Sequence, residues 1–217
     1  MPESRKARIR ACGDDLLCIA TGDVRKAQRL GRDLRGDSFW LEVVPGQNSV
    51  VVQFDSARNT SEEARARLER MPPGSADEGA GTSDSVIEIP VRYGGDDGPD
   101  LRRVCSELGM SPETLVALHS GTEHCVELLG FTPGFAYLSG LDSRLEVGRL
   151  AAPRQRLPAG AVGIAGPYTG LYALPGPGGW ALIGRTPLCL FDPSQADPFC
   201  LCPGQRVRFT AGLGRLP

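Results

Sequence analysis

A chain that places glycine or proline every few residues over about sixty positions, and still carries aromatics there, has few folds open to it. Residues 129–188 read LGFTPGFAYLSGLDSRLEVGRLAAPRQRLPAGAVGIAGPYTGLYALPGPGGWALIGRTPL and include Phe131, Phe135, Tyr137, Tyr168, Tyr172 and Trp180. Low hydrophobicity keeps linkers unfolded, and this stretch is not of that kind. Glycines between short apolar runs predict tight turns, bulges and close backbone approaches. The segment is therefore read as β-rich and site-bearing, with the upstream chain supporting it.

Upstream, DDLLCIA (14–20) predicts a strand, and Asp23 opens a helix with Val24, Ala27, Leu30 and Leu34 on one face. Two strands, Phe39–Val44 and Ser49–Phe54, flank the turn Pro45-Gly46-Gln47-Asn48. Thr60 and Glu63 match a capping box ahead of SEEARARLERM, with Ala64, Leu68 and Met71 inward. Strand, helix, two strands and helix predict a small α+β domain over 1–80. Proline, glycine, serine and acids over 72–85 predict a linker. The second domain, 85–217, opens with a strand over Val86–Tyr93 and a Gly94–Gly98 turn. Two helices follow: Pro99 opens the first, which Gly109 ends, and Ser111-Pro112 starts the second, through about Leu118. From Cys125 to Phe209 the pattern is strands and turns, a β-barrel or sandwich with a helical insertion. The fold class is α+β.

The 217 residues suffice for one large or two small cores. A formal net charge of −2 gives no electrostatic case for nucleic acid or an anionic membrane. No apolar run is long enough to span a bilayer, and MPESRKARIR is not followed by the apolar core of a secretory signal. A cytoplasmic location is expected. The odd count of seven cysteines then predicts reduced thiols serving as small buried hydrophobes. Cys200-x-Cys202 lacks a second pair or nearby histidine to complete a metal set, so no metal site is expected. In an alternating strand the two would pack on one side. The lysines are Lys6 and Lys26 alone. No GxxxxGK[ST] phosphate loop, Schiff-base lysine or biotin-type acceptor lysine occurs in the glycine-rich region.

The two histidines, His119 and His124, precede the glycine-rich segment. His119 reads either as an acid/base group or as a helix-terminal side chain bonding free carbonyls; His124, within EHCVELL, reads as structural. Pro153-Arg154 and Gly184-Arg185-Thr186 set guanidinium groups beside turns, where arginine grips carboxylate or phosphate when it is not simply solvated. Gly178-Gly179-Trp180 reads as a bulge beside a binding wall or as a hairpin with a core tryptophan. Gly-x-Ser-x-Gly, His-Glu-x-x-His and Cys-x-x-Cys are absent from the sequence.

These strings, in order, resemble the group comprising the 5-oxoprolinase B subunit, the Kip-type kinase inhibitors and allophanate hydrolase subunit 1. The resemblance runs through Val91-x-Tyr93-Gly94-Gly95, Gly98-Pro99-Asp100-Leu101 and Leu118-His119-Ser120. It continues with Gly130-Phe131-x-Pro133-Gly134-Phe135-x-Tyr137-Leu138, Pro153-Arg154, Pro158-Ala159-Gly160, Thr169-Gly170, Pro177-Gly178-Gly179-Trp180 and Ile183-Gly184-Arg185-Thr186-Pro187. The N-terminal half matches more loosely, mainly at Val44-Pro45-Gly46-x-Asn48-Ser49.

The resemblance implies a cyclophilin-like β-barrel behind the small α+β domain. It implies a homologous C-type partner (allophanate hydrolase subunit 2-like), an A-type subunit, and ATP-dependent opening of 5-oxoproline to glutamate, with ATP shared between subunits. Within it, His119, Arg154 and Arg185 are expected as catalytic groups. Phe131, Pro133, Gly134, Phe135, Tyr137, Gly166, Tyr168, Thr169, Gly178, Gly179 and Trp180 are expected to bind the small-molecule substrate. Inhibition of a sensor histidine kinase, or action on another lactam or urea-type compound, are the alternatives. Three positions depart from the group: Tyr168 stands where glutamine is usual, Ala173 where proline follows the tyrosine, and His124 where tyrosine is typical.

Overall fold

The computed structural model describes residues 9–71 and 86–212. The chain divides into two compact units, 1–80 and 81–217. The predicted linker over 72–85 lies outside the described residues.

In the first unit, strands β1 (Ile9–Ala11), β2 (Leu16–Ala20), β3 (Trp40–Pro45) and β4 (Ser49–Phe54) form an antiparallel sheet in the order β1-β2-β4-β3. Strict alternation along β4 buries Val50, Val52 and Phe54. Helices α1 (Val24–Arg35) and α2 (Ser61–Arg70) bury Ala27, Leu34, Ala64 and Leu68 in the same cluster. Asp23 caps α1 by accepting from the Lys26 amide, and Thr60 and Glu63 close the capping box on α2. The short strand β1 is an addition to the predicted elements; three residues carry too little periodicity to announce themselves.

The second unit contains β5 (Ile87–Tyr93), α3 (Leu101–Leu108), α4 (Pro112–Ser120), β6 (Glu123–Leu129) and β7 (Ala136–Ser139). A 3₁₀ turn at Ser143–Leu145 leads to β8 (Arg154–Leu157), β9 (Ala161–Ala165), β10 (Tyr168–Leu171), β11 (Gly176–Gly178), β12 (Ala181–Arg185) and β13 (Arg206–Ala211). Seven strands close into a barrel in the order β10-β7-β6-β13-β5-β12-β9, while β8 and β11 pair separately. The β13–β5 pair is parallel; the others are antiparallel. Of the two predicted architectures, barrel and sandwich, the closed barrel is the one formed, and closure leaves no exposed sheet edge.

Alternation decides which side chains enter the lumen. Ile89, Val91, Val126, Leu138, Val162, Ile164, Leu171, Ile183, Val207 and Phe209 are buried there, joined by Leu101 and Val104 of α3 and Leu115 of α4. Residues one position away face outward, and on β9 and β10 these are Ala161, Gly163, Ala165, Tyr168 and Gly170. No helix among the described residues is long and apolar enough to cross a membrane.

The cysteines depart from expectation. Cys105 is buried and Cys18 and Cys125 are partly so, but Cys12, Cys189, Cys200 and Cys202 are exposed. Cys200 and Cys202 sit in an irregular segment rather than a strand, and Leu201 between them fills the core.

Candidate functional site

Helix α4 extends to Ser120, past its predicted end, and that extra half-turn aligns His119 with Leu115 and Val116 on the buried face. His119 therefore projects into the barrel with no exposed surface. Its Nδ1 lies 2.7 Å from the Tyr93 hydroxyl on β5, and its Nε2 2.9 Å from the Thr169 hydroxyl on β10. Thr169 Oγ1 donates to the Gly163 carbonyl at 3.2 Å. Its hydrogen is thus used, so His119 Nε2–H donates to Thr169 and the Tyr93 hydroxyl donates to Nδ1. The result is a one-directional polar strut across the lumen, from β5 through α4 to β10 and β9.

Phe209 stacks on His119 at 4.5 Å, and His124 Nε2 donates to the His119 carbonyl at 3.1 Å. The free helix-end carbonyl is satisfied by His124, then, and not by His119 itself. Burial, then the neighbouring His124, holds the His119 pKa well below the usual 6.5, and burial lowers His124 likewise. With both nitrogens engaged and no exposed surface, His119 stands in the lumen, away from the surface where a proton shuttle was expected to meet a substrate. Thr169, expected at the substrate, belongs to the same strut.

The expected anion-binding arginines are also engaged. Arg154 on β8 grips Asp100 with both terminal nitrogens, at 2.8 and 2.9 Å. Asp100, 5% exposed, also accepts the Leu182 amide at 2.8 Å. Its carboxylate therefore ties β8 to β12 instead of capping α3. Arg185 donates through Nε to the Ala159 carbonyl at 2.8 Å and stands 3.9 Å from Asp97.

What the structure does bring together is the aromatic set, on the outer face of the barrel. Gly170 has no side chain because a Cβ there would come within 2.7 Å of the Trp180 ring and 3.0 Å of Phe135. Trp180 is thus laid over β9 and β10, with Phe135 edge-on at 5.6 Å and Tyr172 4.8 Å from Phe135. Tyr137 lies 4.8 Å from Phe135 and 6.2 Å from Tyr168. Phe135, Tyr172 and Trp180 are buried, and Tyr137 and Tyr168 half-buried. Tyr172 is pushed up to about 12 by burial. Phe131 ends the row 5.7 Å from Phe135, 62% exposed and at φ 77°, a left-handed conformation that a phenylalanine rarely adopts. Backbone strain of this kind concentrates at working surfaces. Of the glycines, Gly134 is wedged against Ala173 and Phe191, and Gly178 lies under the Tyr172 ring. Both are packing positions, while Pro133 is exposed at the turn.

Beside this wall opens a cleft of about 580 Å³ lined by Glu146, Val147, Gly148, Arg149, Ala165, Gly166, Pro167 and Tyr168. Buried Leu145, Val147 and Ala165 anchor its two sides. Gly166, in the left-handed β9–β10 turn at φ 53°, donates to the Val147 carbonyl at 2.8 Å and joins them at the base. The Leu150 amide donates to the Gly179 carbonyl at 2.7 Å, fastening the Glu146–Arg149 side to the turn that carries Trp180. A bulge between Val126 and Leu128 sets Glu127 where its carboxylate reaches the Tyr168 phenol, which burial and then Glu127 push up in pKa. Arg149 and Glu146 are absent from the expected site residues. Their loop has no motif, and only the folding of 145–150 against β10 reveals them. Among the described residues no cluster of three His, Cys, Asp or Glu side chains could hold a metal ion.

Residues 7–201 match the carboxyltransferase domain family, subdomain C and D. The chain is 46% identical over 191 residues to the 5-oxoprolinase B subunit of Escherichia coli O157:H7, covering 88% of this chain and 87% of that protein. Among solved structures, TTHA0988 superposes with a TM-score of 0.79 at 36% identity, covering 96% of this chain, which spans 41% of that longer one. Protein PH0987 from Pyrococcus horikoshii gives 0.58 at 37% identity, covering 94% of this chain and 96% of that one. On a match that takes in both units and nearly the whole length of a relative, the chain belongs to the family of 5-oxoprolinase B subunits, built on carboxyltransferase subdomains C and D.

Proposed function

We propose that the chain is the B subunit of an ATP-dependent 5-oxoprolinase-type amidohydrolase, active with a homologous C-type partner and an A-type subunit. The observation that carries this reading is the near-full-length 46% identity to a protein of that name. The architecture supports it. The cleft between this chain's 146–149 and 165–168 lies open, and the exposed, strained Phe131 ends the aromatic row that runs from it. That is what one half of a shared site would present. TTHA0988, in which this chain's match accounts for 41% of the length, shows the same fold embedded in a longer polypeptide.

A five-membered lactam is a resonance-stabilised amide, and its opening to glutamate is driven by ATP in this reaction class. The residues described do not form a triphosphate cradle: the sequence has no phosphate loop, and Arg154 and Arg185 are committed to Asp100 and to Ala159. We assign the nucleotide to the partner's side of the site. This chain's part is to bind and orient the lactam against the aromatic wall and, once the partner closes over it, to exclude water. The test is co-purification with C- and A-type subunits, followed by measurement of ADP and glutamate. The reading expects 5-oxoproline-dependent release of both by the mixture and by none of the polypeptides alone. A complex that forms yet hydrolyses ATP regardless of 5-oxoproline overturns it.

A further inference from the structure

Most of the barrel unit's described arginines are held by acidic neighbours. Arg92, Arg103, Arg144, Arg154, Arg185, Arg206 and Arg208 all stand in ion pairs with Asp or Glu. Arg102, Arg149 and Arg156 stand in no ion pair with the described residues, and of these Arg149 lines the cleft. The exposed Glu146 lies on the same side three residues before it, and across the cleft lies the Tyr168 ring, packed edge-on by Tyr137.

We propose that this cleft is the subsite for a small cyclic amino-acid derivative, with Arg149 gripping its carboxylate, Glu146 accepting its ring N–H and the Tyr168 ring covering its apolar face. The inference rests on the lactam reading above and names the groups that reading lacks. One cation, one anionic acceptor and one aromatic face lie within a single cleft, and each has capacity the fold itself leaves unused. A guanidinium presents a planar fork that matches a carboxylate. A carboxylate accepts N–H, and a tyrosine face packs against a flat five-membered ring. Arg154, which the sequence favours for this task, has both terminal nitrogens on Asp100.

The experiment is titration calorimetry of the full chain with 5-oxoproline, with proline, and with pyrrolidin-2-one, which keeps the lactam and lacks the carboxylate. 5-Oxoproline is expected to bind and pyrrolidin-2-one to bind roughly 10- to 100-fold more weakly, the scale of one charged hydrogen-bonded contact. Arg149→Gln should weaken 5-oxoproline by a similar factor and leave pyrrolidin-2-one unchanged, while Arg102→Gln, on the exposed side of α3, should alter neither. Unchanged binding of 5-oxoproline by Arg149→Gln overturns the subsite, as does equal affinity for the neutral lactam or no binding of any carboxylate. If Arg149-dependent binding is found for proline and not for 5-oxoproline, the subsite stands and the 5-oxoprolinase reading falls.

Discussion

The lumen of the barrel and its outer aromatic face are built from alternate residues of the same strands, yet they end in opposite chemical states. Inside, Tyr93, His119 and Thr169 are buried and spend every hydrogen on one another or on Gly163. Outside, Tyr168 and Arg149 border open space, and the guanidinium makes no ion pair with the described residues. A buried polar group must be satisfied by the fold, since leaving it unpaired costs about 1–3 kcal/mol. A group at a cleft can keep its capacity for something else. The histidine that looks like chemistry in the sequence is sealed in the lumen, and an arginine with no motif around it faces the cleft.

Four substitutions or conditions bear on this contrast, in descending order of effect. Trp180→Ala removes the ring that covers Gly163 and Gly170, and should cost about 3–5 kcal/mol in urea unfolding. A loss below about 1 kcal/mol would mean that the outer wall is a ligand surface and not a second core. Asp100→Ala strands the half-buried Arg154 and the Leu182 amide, with an expected loss of about 2–3 kcal/mol. An equally stable variant that binds phosphate at Arg154 would return that arginine to the candidate site.

The third concerns pH. His119 and His124 are held below their ordinary 6.5 in the folded chain, so the unfolded chain binds more protons near that pH. Their stabilising contribution is complete above about pH 6.5 and declines as pH falls towards the lowered folded values, by up to roughly 1.4 kcal/mol per pH unit for each histidine. Denaturation midpoints between pH 7.5 and 5 would record it. His119→Gln keeps donor and acceptor but does not titrate, and should flatten the slope. A slope unaffected by that change would place His119 in contact with water. The smallest effect is expected at Phe131. Glycine there relieves about 1–2 kcal/mol of left-handed strain but costs about 0.5–1 in chain entropy, so stability should move by no more than about 1.5 kcal/mol. Partner-dependent turnover should fall much more. A large loss of stability instead would make that ring part of the core.

How much of this was legible beforehand varies by element. Asp23, Thr60 with Glu63, and Ser111-Pro112 start their helices where the caps predict, because capping is settled within four residues. The gathering of Phe135, Tyr137, Tyr168 and Trp180 follows from turns too frequent to let those rings lie far apart. The prediction ended α4 near Leu118 and so left His119 at the helix terminus; continuing the Leu115–Val116 stripe through one more turn brings it to the buried face. Arg154 had no such cue, since its partner Asp100 lies 54 residues away.

Element types, turns, caps and the concentration of aromatics were set by the sequence itself, through local conformational preference and periodicity that need no distant contact. Which polar side chains were sealed and which were left open was decided only when seven strands closed. In a strand neighbouring residues face opposite sides, so closure sends Thr169 into the lumen and Tyr168 to the cleft, and the long-range pairing that fixes this is not written in either residue.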